Sequence, residues 1–128
     1  MERQRVGTGT EWEATVGYSR AVRVGETVHV AGTTATDDHG DPYDASAEAQ
    51  TRRAIEQVGA ALEAVGATLD DVVRTRLYVT DIGDWEAVGR AHGEAFGSVR
   101  PAATMVEVSA LVDPVLRVEI EADAVVTD

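Results

Sequence analysis

The sequence predicts an α+β fold, one sheet covered on one face by two helices, in the order β-β-α-β-α-β-β. Three observations carry this reading. Leu116–Val126 alternates strictly: Leu116, Val118, Ile120, Ala122, Ala124 and Val126 face one way, and Arg117, Glu119, Glu121 and Asp123 face the other. That is the period of a half-buried strand. Two further segments repeat their apolar residues every three and four positions, as amphipathic helices do. Between them lie short β-rich runs punctuated by Gly, Pro and Asp.

Taken in order, residues 1–17 are polar and rich in Gly and Thr, and are expected to form a loosely structured lead-in to a single domain spanning 1–128. Ala21–Val24 and Thr27–Ala31 read as strands joined at Gly25-Glu26, a hairpin signal. A loop follows, marked by Thr33, Thr34, Asp37, Asp38, Gly40 and Pro42. From the N-cap Ser46 an inward series runs Thr51, Ala54, Ile55, Val58, Ala61, Leu62, Val65, and Gly66 stands where a helix should stop. Asp71–Thr80 is a strand with Val73, Thr75, Leu77 and Val79 on one face and Arg74, Arg76 and Tyr78 on the other. Asp84 caps a second helix with Trp85, Val88, Ala91, His92, Ala95 and Phe96 on its buried side, ended by Gly97 and Pro101. Ala103–Val108 is a further strand. The sheet face away from the helices is expected to carry Arg74, Arg76, Tyr78, Met105, Glu107, Glu119 and Glu121. A face that mixed is either solvated, as one side of an antiparallel sheet often is, or covered by other subunits.

Composition removes several chemistries. Acidic residues outnumber basic ones 23 to 11, giving a formal charge of −12, and every base is an arginine. Without lysine there is no Schiff-base chemistry on the chain. Without cysteine there is no thiol nucleophile, zinc–thiolate site or iron–sulfur cluster. The negative charge disfavours nucleic acid and other polyphosphates. It fits adaptation to high salt, or a GC-rich codon bias that exchanges Lys for Arg. His29, His39 and His92 have no ligand spacing, so no metal and no cofactor is expected. No leader or membrane span is visible, and a cytoplasmic protein is the expectation.

An ordered set of short pieces carries a resemblance. Tyr18-Ser19-Arg20-Ala21-Val22 is followed by Val30-Ala31-Gly32-Thr33, Gln50-Thr51, Asp71-Val72-Val73, Tyr78-Val79-Thr80-Asp81, Asp84-Trp85, Pro101-Ala102, Val106-Glu107-Val108 and Val118-Glu119-Ile120-Glu121-Ala122. The set resembles the RidA/YjgF family, also called L-PSP endoribonuclease-like, from residue 17 onward. The resemblance implies a chorismate-mutase-like fold with a mixed sheet, a homotrimer, and small-molecule clefts between subunits. It also implies a deaminase that hydrolyses reactive imines or enamines to 2-keto acids and ammonia. The older ribonuclease and translation-inhibitor labels find no support in a chain with no basic groove and no catalytic histidine pair.

Residue by residue, the resemblance places the water-positioning carboxylate at Glu119, the hydroxyl at Tyr18 and the substrate-holding backbone at Gly32 and Thr33. The family's substrate-clamping arginine falls on Ala103, within Pro101-Ala102-Ala103-Thr104-Met105. The family's usual Asn and Cys fall on Gly89 and Met105. Thr104 and Met105 complete the expected substrate-binding group. A carboxylate substrate calls for a planar guanidinium. Arg76 is the expected substitute, against a plain role as partner to Glu107, Glu119 or Glu121, and Arg100 is a second candidate. Two functions follow: an imine or enamine hydrolase, or a non-catalytic binder of a small, weakly polar ligand in the same clefts.

Overall fold

The computed structural model describes residues 1–127. Six strands form one sheet: β1 (Arg3–Val6), β2 (Ala21–Val24), β3 (Thr27–Thr33), β4 (Val72–Val79), β5 (Ala102–Glu107) and β6 (Val118–Val125). Their order across the sheet is β1-β2-β3-β6-β4-β5. The helices are α1 (Glu11–Val16), α2 (Ala47–Glu63) and α3 (Trp85–Phe96).

The topology follows from where the chain must cross over. β3 and β4 both run antiparallel to β6, and β4 pairs with β5 in parallel. Strands that run the same way cannot be joined by a tight turn, so each such connection needs a crossover element. The amphipathic α2 and α3 supply the two crossovers, and they pack together on the apolar face of the sheet. Ser46 caps α2 by accepting from the Ala49 N–H at 3.1 Å. Gly66 ends that helical region in the left-handed conformation, φ 81°, which a side chain would resist.

The core lies between this face and the helices. Val28, Val58, Leu62, Val79, Val88, Phe96, Val118 and Ile120 are all essentially closed to solvent. Each such side chain contributes about 1.5–3 kcal/mol relative to exposure. Gln50 is fully buried among them and completely satisfied. Its amide donates to the Ala45 and Val115 carbonyls at 3.1 and 2.8 Å, and its oxygen accepts from the Arg117 N–H at 2.8 Å. It thereby ties the entry of β6 to the start of α2. His92 is half-buried on α3, bonded to Thr75 Oγ1 at 2.9 Å and tilted against Phe96. Burial pushes its imidazole below the usual histidine value.

Three expectations need correction. Residues 1–17 are not a loose lead-in throughout: β1 pairs with β2 over four residues, and α1 forms a short, exposed helix capped by Thr10. Trp85 is not on the buried side of α3. It is the first helical residue and more than half exposed, because the apolar stripe begins only at Val88. Met105 and Glu107 do not share the open face with Arg76. In β5 the residues level with Arg76 and Tyr78 are Thr104 and Val106, while Met105 lies level with Leu77 and packs against the core. No helix among the described residues is long and apolar enough to cross a membrane.

Candidate active site

The site is built around an irregularity in β3. Val30 lies opposite Ala122 and Thr33 opposite Ile120, so β3 spends three steps where β6 spends two. The extra residue is accommodated at Ala31-Gly32 as a bulge, a device that interrupts pairing and re-aims backbone groups. The bulge brings Gly32 directly against Glu119. A Cβ on Gly32 would stand 3.0 Å from Glu119 Cδ and 3.4 Å from Cγ, and would overlap the carboxylate. Close approach, not backbone conformation, is what requires glycine here.

At the same bulge Arg20 Nη2 donates to the Gly32 carbonyl at 2.8 Å. Arg20 is fixed at its own backbone, donating to Val6 at 2.7 Å and accepting from Ala31 at 3.0 Å. Its guanidinium carbon stands 5.7 Å from the centre of the Tyr18 ring, within cation–π range. Glu119, Gly32, Arg20 and Tyr18 thus form one cluster at the junction of β2, β3 and β6. Tyr18 also lines a shallow groove of about 490 Å³ across the open sheet face, with Arg3, Arg5, His29, Glu121 and Asp123.

Glu119 is half-buried. Burial pushes its carboxyl above the ordinary carboxylate value; the Arg20 charge opposes that shift and Glu121 reinforces it. The result is a carboxyl that takes up a proton more readily than an exposed glutamate, beside a cation with which it forms no ion pair.

The residues expected at the site therefore divide. The structure brings Glu119, Tyr18 and Gly32 together. It turns the Thr33 side chain inward, 1% exposed, with its hydroxyl donating to the Ala31 carbonyl at 2.8 Å. Thr33 is a core residue, because the bulge sets it level with Ile120 on the helix-covered face. Ala103, Thr104 and Met105 lie on β5, with all of β4 between them and Glu119. Ala103 and Thr104 are exposed on this outer strand, and Ala103 leaves it without a guanidinium.

Arg76 is directed toward β6. It lies 3.2 Å from Asp123 Oδ2 and 3.6 Å from Glu121 Oε1, in a network that also holds Tyr78 Oη donating to Glu121 at 2.6 Å and His29 against Asp123 at 2.7 Å. The hydrogen bond to Glu121, with burial beside it, raises the Tyr78 phenol above its usual range. Arg76 is thus a partner of carboxylates on its own chain rather than a free clamp. Arg100 is exposed and holds a positive φ of 55° just before Pro101. The residue that sequence reasoning missed is Arg20. Its signal was a lone cation inside a matched motif, and only the bulge in β3 reveals what it reaches.

Comparison with known proteins agrees with this frame. The family model described as Endoribonuclease L-PSP matches residues 8–126. A RutC family protein from Pyrococcus abyssi is 40% identical over 108 residues, covering 84% of each chain. The human protein named 2-iminobutanoate/2-iminopropanoate deaminase is 30% identical over 109 residues, 84% of this chain and 79% of the human one. Among solved structures, a member of the YjgF/YER057c/UK114 family from Mycobacterium tuberculosis superposes with a TM-score of 0.89 at 54% identity, covering 98% of this chain and 100% of that one. A bulge that seats a carboxyl on a glycine, in a sheet crossed by two helices on one face, is here the work of a chain that belongs to the Endoribonuclease L-PSP family, the family of the RutC and YjgF proteins.

Proposed function

We propose that the chain is a hydrolase of small imines and enamines, working as a homotrimer with its sites in clefts between subunits. The observation that carries this reading is the Glu119 carboxyl, half-buried, raised in pKa and seated against Gly32. Imine hydrolysis needs one group to take a proton from water as its oxygen bonds to the imine carbon, and to return a proton to nitrogen as the carbinolamine collapses. The products are a carbonyl compound and ammonia. A single carboxyl whose affinity for protons has been raised serves both transfers. Tyr18, at the mouth of the cluster, supplies a hydroxyl to orient water or substrate. The family membership and the human relative's name support the same reaction class.

The trimer is supported by the half-site geometry. Within one chain β4 separates Glu119 from Ala103 and Thr104, so a second copy is needed to set the exposed β5 against the Glu119 cluster.

The test is direct. The imine of alanine is generated in solution by an amino-acid oxidase, with semicarbazide competing for it, and ammonia and 2-keto acid are followed with and without the protein. The wild type should accelerate both, and Glu119→Gln should lose about 10²-fold or more, the scale of one acid–base group. Light scattering should give three times the chain mass. A wild type that leaves the spontaneous rate unchanged would sink the hydrolase reading in favour of a ligand-binding trimer.

A further inference from the structure

We propose that Tyr78 is a positioning residue for the reaction: by giving its hydroxyl hydrogen to Glu121 rather than to Glu119, it leaves the reacting carboxyl without a partner on the chain and beside an ionised neighbour. The inference rests on the hydrolase reading above and concerns the pH at which that site works.

On the open face of the sheet β6 presents Glu119, Glu121 and Asp123 in a row. Alternate residues of a strand stand about 7 Å apart. β4 faces the row with Tyr78 and Arg76, whose partners in the ladder are Glu119 and Glu121. Direct pairing would put the phenol on Glu119 and the guanidinium on Glu121. Both side chains lean one step along instead. Tyr78 Oη donates to Glu121 at 2.6 Å. Arg76 Nη1 donates to Asp123 at 3.2 Å and lies farther, 3.6 Å, from Glu121. Asp123 also meets His29 at 2.7 Å. Because both β4 donors are displaced in the same direction, the first carboxyl of the row is left over. Among the described residues Glu119 accepts no side-chain hydrogen bond, while Glu121 and Asp123 both do.

The lean has two chemical effects. A phenol on Glu119 would stabilise its ionised form and occupy a lone pair that the attacking water needs. The same phenol on Glu121 stabilises the ionised form of Glu121, and so fixes a negative charge beside Glu119. A like charge favours the protonated form of Glu119, the direction in which burial already pushes it. The other charged or titratable groups around the pair are accounted for. Arg20 opposes the shift at Glu119, with Tyr18 beside it, and Arg3, Arg5 and His29 line the groove next to Glu121 and Asp123. Among the described residues only Tyr78 gives a hydrogen bond to the Glu121 carboxylate. Without it the two carboxyls would be free to share one proton, and Glu119 would no longer titrate as a single group.

Two readings of Glu119 test this. Carbon-13 titration of the glutamate carboxyls, with the Glu119 resonance assigned by its loss in Glu119→Gln, follows ionisation without turnover. The acid limb of imine hydrolysis follows it in the reaction. Glu121→Gln keeps an acceptor for Tyr78 but removes the charge, and should move both downward by about 0.5 pH unit, the size of a like charge at that separation near a surface. Tyr78→Phe keeps the ring but removes the donor. It should move both upward by about the same amount, through proton sharing, and slow turnover by about 3–10-fold. A residue that only packed would move neither. The proposal is overturned if Glu121→Gln leaves the Glu119 titration in place or raises it, or if Tyr78→Phe lowers it or leaves it in place. Should one variant fail to fold, the other decides. A wild type that hydrolyses imines while either variant gives such a result overturns this inference alone. A wild type without turnover removes the hydrolase reading, and this inference with it.

Discussion

Gly32→Ala isolates the contact on which the site depends. The added methyl would stand 3.0 Å from Glu119 Cδ and would overlap its carboxylate. The obstacle is the far end of a flexible side chain, so the carboxyl can swing aside. Forcing a methyl into packed surroundings costs about 1–3 kcal/mol, and the mobility of Glu119 argues for the lower end. A displacement of about 1 Å at a reacting group is worth about 10²-fold in rate. The variant should therefore melt only a few degrees lower, as about 1 kcal/mol implies for a chain of this size. Its kcat for imine hydrolysis should fall about 10²-fold. Thermal unfolding and the semicarbazide-competition assay, run on the same preparation, read the two quantities. A variant with wild-type kcat would refute the reasoning, because Glu119 would then act equally well from a displaced position. A loss of more than about 3 kcal/mol with no folded protein would show that the bulge, not the carboxyl, is what the glycine protects.

Other consequences are as specific. Gly93→Ala on α3 places a methyl where nothing lies within 4 Å, so it should stabilise the chain by about 0.5–1 kcal/mol in a urea melt; a loss instead would mean that another subunit covers this face. Arg76→Ala breaks half-exposed pairs to Asp123 and Glu121, and should cost about 1 kcal/mol or less while imine turnover stays within about 2-fold; a loss of turnover beyond about 10-fold, with the fold intact, would return Arg76 to the site. Burial lowers the His92 pKa, so the unfolded chain binds more protons than the folded one below about pH 6.5. Stability should fall as pH drops through that window, and His92→Gln should flatten the fall; an unchanged slope would rule out His92 as its source. For turnover, the raised Glu119 carboxyl puts the acid-side loss of rate above the ordinary glutamate range, and a limb at or below about pH 4.5 would contradict its role.

What was legible in the sequence follows from contrast. The stripe of α2 and the alternation of β6 are strong because each buries one side against the core and leaves the other polar. β5 offers no such contrast. Ala102, Ala103, Thr104, Val106 and Glu107 are all exposed, so an edge strand in parallel contact with one neighbour gives no parity signal. Met105 and Glu107 were consequently set on the wrong face. β1 escaped notice for the same reason: Arg3, Gln4 and Arg5 are solvent-facing, and pairing alone makes them a strand. Glu119, Tyr18 and Gly32 were singled out through resemblance, because their motifs are intact, and the structure sets them in one cluster. The inward turn of the Thr33 side chain was not legible, because a bulge changes which side chains face the core and one extra residue in a strand leaves no mark in composition. Arg20 was hidden by the same bulge, since its partner is a carbonyl and carbonyls are invisible in a sequence.

The place of β6 in the sheet bears on how the chain reaches this structure. It lies between β3 and β4, at the centre, yet it is the last strand in the sequence. Val30 finds Ala122, and Leu77 finds Ile120, only once β6 is present. The hairpin of β2 and β3 and the unit of β4, α3 and β5 can form early from local pairing. Neither can join the other until β6 arrives to bridge them. Folding should therefore be governed by closure of long loops, slower than in a chain of the same size with neighbouring strands in sequence order. During synthesis the apolar faces of α2 and α3 have only part of a sheet to lie on until β6 has been made. Removing even the final strand's second half should leave two unjoined fragments rather than a smaller version of the same protein.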